Sequence, residues 1–322
     1  MFRVCVRILS LLILLLPVCA SAQRLSSSQE LAASFNSTSD LSKLAPYRIE
    51  AVISVKGLQE ATGTLIIYHD HENARQELEF TDYHQIEVTS ASSYYVWRRP
   101  DMVLEFADLL VGLDELWQIT PAKDVEPSSV SRADVHGDSA LCFKLRAEKD
   151  LEVRNCFDAA NHLLISRETK SAWSTQEIQF LDYQEVDGIH FPSAIRFIRP
   201  HAPEIEIRKI TLIKMPLEAA VFAPPSGARK FSFCKNAKPA QLIHTVEPAY
   251  PQMARIAHIM GEVRMVATIG EDGKLRDFHA VAGHPILVQA ALEAVKQWTY
   301  TPEMCPSGPE AKETTIKISF KM

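Results

Sequence analysis

The sequence predicts an α+β protein in two parts: a large antiparallel sheet with a helical insertion over residues 45–225, then a small αββαβ module over 239–322. Three observations carry this reading. From Tyr47 onward the chain alternates apolar and polar residues with a period of two. Residues 100–119 break that alternation, placing Leu104, Leu109, Leu113, Leu116 and Trp117 at mixed three- and four-residue spacing. After a polar break at Ser226-Gly227-Ala228-Arg229-Lys230 the rhythm changes to short helix, two strands, longer helix and last strand.

The start of the chain bears on compartment. Arg3 and Arg7 precede a nearly unbroken apolar run from Ile8 to Val18, and Ala20-Ser21-Ala22 offers the small-x-small pattern cut by signal peptidase. A spanning helix needs about 20 apolar residues. This run is shorter and is broken by Pro17. Residues 1–22 are therefore read as a signal peptide, with a periplasmic chain beginning at Gln23. The alternatives are an uncleaved inner-membrane anchor, or lipid attachment at Cys19, where Leu16-Pro17-Val18 lacks the small residue such a site wants. Residues 23–44, rich in Ser, Thr and Asn with one short amphipathic stretch at Glu30–Phe35, read as a flexible lead-in.

Composition is that of a globular protein, 47% hydrophobic and 23% charged. Loss of Arg3 and Arg7 with the leader takes the formal charge from −6 to −8, and no long basic run remains. Nucleic acid and anionic membrane surfaces are poor main partners for such a chain.

The strands are read in order as Tyr47–Val55, Thr62–Tyr68, Ala74–Phe80, Gln85–Thr89 and Tyr94–Trp97. After the helical segment they resume at Ala140–Ala147, Leu151–Phe157, His162–Thr169, Glu177–Val186, Ser193–Ile198 and Ile205–Ile213. Asp187-Gly188 signals a type I′ hairpin. One face of such a sheet must be buried, and the inserted helix is the expected cover, with an apolar hollow beneath it. Residues 226–238 are read as the linker.

In the C-terminal module, Pro251 opens a short helix to Ala257, where its missing N–H is no loss. Gly261–Ile269 and Leu275–Ala282 are strands around the tight turn Glu271-Asp272-Gly273. Pro285–Trp298 is an amphipathic helix, and Thr314–Lys321 is the last strand.

Four cysteines follow the leader: Cys142, Cys156, Cys234 and Cys305. In an oxidising compartment an even count reads as disulfides. Cys142 and Cys156 lie on consecutive strands, and Cys234 and Cys305 flank most of the C-terminal module, so proximity favours these two pairs. No CxxC or HxxxH spacing supports a zinc site, and no metal or cofactor is expected. The cluster His69-Asp70-His71-Glu72 reads as a polar hairpin turn. With no G-x-S-x-G, P-loop or dinucleotide fingerprint, the chain is not expected to be an enzyme.

Two resemblances add to this. The strand Gly63–Tyr68, Arg75, the hairpin Asp182–Pro192 and the closing Leu217–Pro225 resemble the half-barrel of the LolA/LolB lipoprotein carriers. That resemblance implies a half-barrel over 45–225 able to hold an apolar ligand, the alternative being a filled core and no ligand. Tyr250-Pro251 with Ala254-Arg255, Gly261-Glu262-Val263, Asp272-Gly273-Lys274, Ala290-Ala291-Leu292, Gln297–Pro302 and Ile316–Phe320 resemble the C-terminal domain of the energy transducer TonB, in order and spacing.

The TonB resemblance implies peptide capture. An edge strand presents free N–H and C=O groups that an extended segment can satisfy by strand addition. The candidate edge is Ile316, Lys317, Ile318 and Phe320, with Tyr250 and Pro251 beside it, and the expected partner is an extended segment of an outer-membrane or envelope protein. Lys312, Lys317 and Lys321 would favour an acidic segment or simply guard the edge. The sequence departs from transducers of that family in lacking a Pro-rich spacer; a folded domain stands in its place. Three functions stay open on the sequence: a periplasmic docking protein, active in TonB-dependent transport; a lipid or lipoprotein carrier; and an anchored transducer. A homodimer is also compatible with it.

Overall fold

The structure is a computed structural model that describes residues 27–322 apart from 57–59, 102–127, 149–150, 171–174, 201–202, 233 and 235. The leader, nearly all of the 100–119 helix and the hollow under it lie outside the described residues.

Among the described residues twelve strands follow one another: β1 (Tyr47–Lys56), β2 (Ala61–His69), β3 (Ala74–Phe80), β4 (Tyr83–Thr89), β5 (Ser93–Arg99), β6 (Ser131–Val135), β7 (Asp138–Glu148), β8 (Leu151–Asp158), β9 (Leu164–Lys170), β10 (Thr175–Val186), β11 (Ile189–Ile198) and β12 (Glu204–Lys214). With β13 (Arg229–Ser232) they form one sheet ordered β13-β5-β4-β3-β2-β1-β12-β11-β10-β9-β8-β7-β6. First and twelfth strands pair, setting Ile49 opposite Leu212 and Ile53 opposite Ile207, and hairpins fan out from that seam on both sides. The alternation read from sequence decides which face is buried. Ile49, Ile53, Leu65, Leu78, Phe143, Phe157, Phe180, Phe197 and Ile207 share one core, each nearly or fully excluded from solvent. At the β10–β11 turn Asp187 and Gly188 have φ of 50° and 78°, as a type I′ turn requires.

The structure corrects two expectations. Residues 23–44 are not simply a flexible lead-in: Ser27–Ser39 form a helix, α1, followed by a 3₁₀ turn at Leu41–Leu44. Leu31, Ala32 and Phe35 are buried in the sheet's core, with Phe35 edge-on to Phe157 at 5.6 Å between centroids. The stripe is only Leu31 and Phe35, one turn apart, and the surrounding serines hide it. The Ser37 and Ser39 hydroxyls donate to Ser34 and Phe35 carbonyls within the helix (both 2.8 Å) rather than breaking it. Second, the 226–238 linker is not all linker. β13 pairs with β5, placing Phe231 opposite Tyr94 with rings stacked at 6.0 Å. Four residues are too short for periodicity to register.

The C-terminal module contains β14 (Leu242–His244), α2 (Gln252–Ile256), β15 (Gly261–Ile269), β16 (Leu275–Ala282), α3 (Pro285–Val295), β17 (Thr299–Tyr300), β18 (Glu303–Cys305), β19 (Gly308–Glu310) and β20 (Lys312–Phe320). The short strands β14, β17, β18 and β19 had no signal in the sequence. The main sheet is ordered β16-β15-β20, and α3 packs on it through Leu287, Ala291 and Val295 against Val263, Met265, Ile316, Ile318 and Phe320. Gly273 has φ +75°, and a Cβ there would lie 2.0 Å from the Tyr300 carbonyl oxygen, so the turn admits only glycine. His284 caps α3, its Nδ1 accepting from the Ile286 N–H.

Both expected disulfides are present. Cys142 and Cys156 sit directly opposite on β7 and β8, with Cα atoms 4.1 Å apart. Cys234 and Cys305, 71 residues apart in sequence, join at 5.8 Å.

Candidate docking edge

β20 pairs with β15 along its whole length, from Lys312 opposite Ile269 to Phe320 opposite Gly261. It ends the three-stranded sheet, and among the described residues no backbone–backbone hydrogen bond is made from its other side. A strand in that position has N–H and C=O groups pointing outward at every second residue.

The six predicted partner residues contribute differently. Ile316, Ile318 and Phe320 are 3%, 6% and 4% exposed and face α3, so their side chains belong to the core and only their backbone is offered. Lys317 points to the opposite, exposed side. The Tyr250 hydroxyl donates to the Ile259 carbonyl (2.7 Å), its ring meets Phe320 edge-on at 5.6 Å, and the Arg255 guanidinium lies over it. Tyr250 therefore fixes α2 to the end of β20. Pro251 is the N-cap of α2. Of the lysines expected to attract an acidic segment, Lys312 is paired with Glu303. The sequence reading missed three exposed apolar side chains close in sequence to Tyr250: Met253 and Ile256 of α2, and Met260, are 65%, 66% and 56% exposed. Their spacing was the available signal, obscured by the shortness of the helix.

Other clusters are occupied by structural roles. Asp70 accepts backbone N–H bonds from Glu72 (2.7 Å) and Asn73 (2.6 Å), the geometry of a hairpin turn. Burial opposes its ionisation, but these bonds outweigh that and hold its carboxyl below the usual range. Cys234, Glu303 and Cys305 come close together, yet the sulfurs are joined to each other and the carboxylate is held by Lys312. A cleft of about 660 Å³ opens beside His136, Leu163, Gln179, Tyr183 and Arg196. Of its polar groups, Arg196 donates to Gln179 Oε1 (3.3 Å), and His136 Nε2, 2.6 Å from Glu177 Oε1 and 2.9 Å from Gln179 Nε2, bonds one or the other according to its tautomer.

Fold and edge together define a class: a broad antiparallel sheet carrying a small αββαβ module whose last strand is left open. Residues 246–322 match the family model of the Gram-negative bacterial TonB protein C-terminal, so the C-terminal module is TonB-like. Over 87 residues the chain is 34% identical to Protein TonB of Vibrio cholerae, covering 26% of this chain and 36% of that protein. The chain thus spans little more than a third of that relative. The solution structure of the Pseudomonas aeruginosa TonB C-terminal domain is 25% identical, with 26% of this chain and 86% of that one covered, at a TM-score of 0.23. The large sheet is similar to a putative outer membrane lipoprotein-sorting protein domain from Vibrio parahaemolyticus (11% identity, 60% and 94% covered, TM-score 0.43). It is also similar to a LolA superfamily protein from Nitrosomonas europaea (11% identity, 60% and 97% covered, TM-score 0.42). No helix among the described residues is long and apolar enough to cross a membrane.

Proposed function

We propose that this protein is an exported, TonB-like component of the cell envelope. It docks to an extended segment of an outer-membrane or envelope protein by strand addition at β20, in the service of TonB-dependent transport. The observation that carries this reading is the unpaired outer side of β20, next to the turn fixed by Tyr250. Because the side chains of Ile316, Ile318 and Phe320 are committed to the core, affinity would come from main-chain hydrogen bonds, and selectivity from Lys317 and the exposed Met253 and Ile256.

The carrier reading is the weaker one. The buried Phe143, Phe157, Phe180 and Phe197 pack with α1 in one core, which favours the filled-core alternative. The experiment is photocrosslinking in cells from position 317, with position 296, the exposed C-cap of α3, as control. Adducts with one outer-membrane or envelope protein from 317 alone are expected. Equal adducts from both positions, or none from 317, would remove β20 as the docking strand.

A further inference from the structure

At the Glu313 end of β20, the outer face of the three-stranded sheet meets the large sheet. Along β20, Ile316, Ile318 and Phe320 face α3, so Glu313, Thr315 and Lys317 face away. On that side Glu313 makes two parallel hydrogen bonds with Arg98 of β5, Nη1 to Oε1 at 2.9 Å and Nη2 to Oε2 at 3.2 Å. Arg229 of β13 lies 3.3 Å from Asp277 on β16, 3.2 Å from Asp101 and 4.0 Å from Glu313. Thr268, opposite Glu313 on β15, is buried.

Among the described residues, further polar and charged groups surround this contact. The Arg98 side chain is only 4% exposed, and its Nε donates to Gln85 Oε1 at 3.1 Å. Glu87, also buried, lies 3.9 Å from Arg98 Nη2, accepts from Gln85 Nε2 at 2.8 Å and is hydrogen-bonded by Tyr94. Tyr83 donates to Gln85, and burial pushes its phenol up to about 12. His279 on β16 lies 3.9 Å from Asp101. Burial holds its imidazole below the ordinary value, against the pull of Asp101, so it supplies no third cation near neutrality. Two guanidiniums, Arg98 and Arg229, thus face four carboxylates, Glu87, Asp101, Asp277 and Glu313. At the buried end of the contact the single guanidinium of Arg98 is shared by two carboxylates, Glu87 and Glu313.

We propose that the two parts of the protein are joined by a proton-sensitive latch, in which the Arg98–Glu313 clasp holds the contact and protonation of the surplus carboxylate Glu87 tightens it. Glu87 and Glu313 compete for one guanidinium. When Glu87 is ionised, it repels Glu313 across Arg98. When it is protonated, the clasp becomes a one-to-one pair and Glu87 still bonds its neutral neighbours. Burial raises Glu87's pKa, in the same direction. Opening the latch lets water reach Glu87, restores its ordinary acidity and releases the proton. Closing is therefore favoured as pH falls through the raised value. The latch uses the face of the C-terminal sheet and leaves the outer edge of β20 unpaired, so it stands independently of strand addition.

The test uses the full chain with spin labels at two exposed positions, E72C on the large sheet and K296C on the C-terminal module, at about pH 5.5 and about pH 8.5, both above the ordinary Glu range. The wild-type distance distribution is expected to be narrow at the lower pH and to broaden at the higher, the closed-to-open ratio changing by up to about tenfold per pH unit as for one proton. Glu87→Gln should stay narrow at both, and Glu313→Gln broad at both. Lys317→Gln, on the same face but outside the cluster, should follow the wild type. Tyr94→Phe removes a donor to the ionised form and should move the transition to higher pH, which keeps the test open if Glu87→Gln folds poorly. A wild-type distribution unchanged between the two pH values, or a Tyr94→Phe transition at or below the wild-type pH, overturns the proposal.

Discussion

Replacing Phe35 by alanine tests whether α1 is an integral part of the large-sheet core. The ring is 1% exposed, meets Phe157 edge-on at 5.6 Å and lies in one cluster with Leu31, Phe143 and Phe180. Truncating a buried phenylalanine costs about 3–5 kcal/mol, the transfer of the ring plus the cavity left behind. The aromatic pair with Phe157 adds to this in the same direction. If α1 can undock while the sheet stays folded, the measured loss saturates at the free energy of docking the helix, and the amides of residues 31–35 then exchange faster than those of β1. The assay is urea unfolding of the full chain followed by near-ultraviolet circular dichroism, with hydrogen exchange on the same samples. A loss below about 1 kcal/mol, with exchange at residues 31–35 unchanged, would refute the placement of α1, because a surface phenylalanine costs no more than that.

Other outcomes follow from single features. Cys234→Ala with Cys305→Ala opens a loop closed across 71 residues of sequence, and should lower stability by about 4 kcal/mol in the chain-entropy limit, read from the urea midpoint against the oxidised protein. Gly273→Ala forces a Cβ against the Tyr300 carbonyl at positive φ and should cost about 2 kcal/mol or more, while leaving the unfolding of the large sheet unchanged. For Glu177, burial opposes ionisation, but the bonds from His136 and Ser166 outweigh it and hold the carboxyl below its ordinary value. Its contribution is present above the ordinary Glu range and lost as pH falls through the lowered value, so Glu177→Gln should be less stable near neutrality and converge on the wild type in acid. Tyr250→Phe removes one hydrogen bond to Ile259 and should cost about 1 kcal/mol, with faster exchange at the end of β20.

Where the pattern was long and regular, the amino-acid order was enough. β1, β3, β15 and β16 lie within a residue of where alternation placed them, since a period of two over seven or more residues can satisfy only one buried face. The Asp187-Gly188 and Glu271–Gly273 turns and the Cys142–Cys156 pair were likewise legible, because each rests on neighbours along the chain or on adjacent strands; the Cys234–Cys305 pair, 71 residues apart, then followed from the even count. Helix α1 and strand β13 were not. Two apolar residues in the first, and four residues in the second, carry too little local signal to outweigh polar surroundings, and both are held by partners more than a hundred residues away. The open side of β20 was expected from the resemblance to the TonB C-terminal domain. That the side chains of Ile316, Ile318 and Phe320 turn inward, and that Glu313 on the same strand reaches Arg98, was decided by tertiary structure alone. Local sequence fixes which face of a strand is apolar; only the packing of distant segments fixes what lies against each face and which charges meet there.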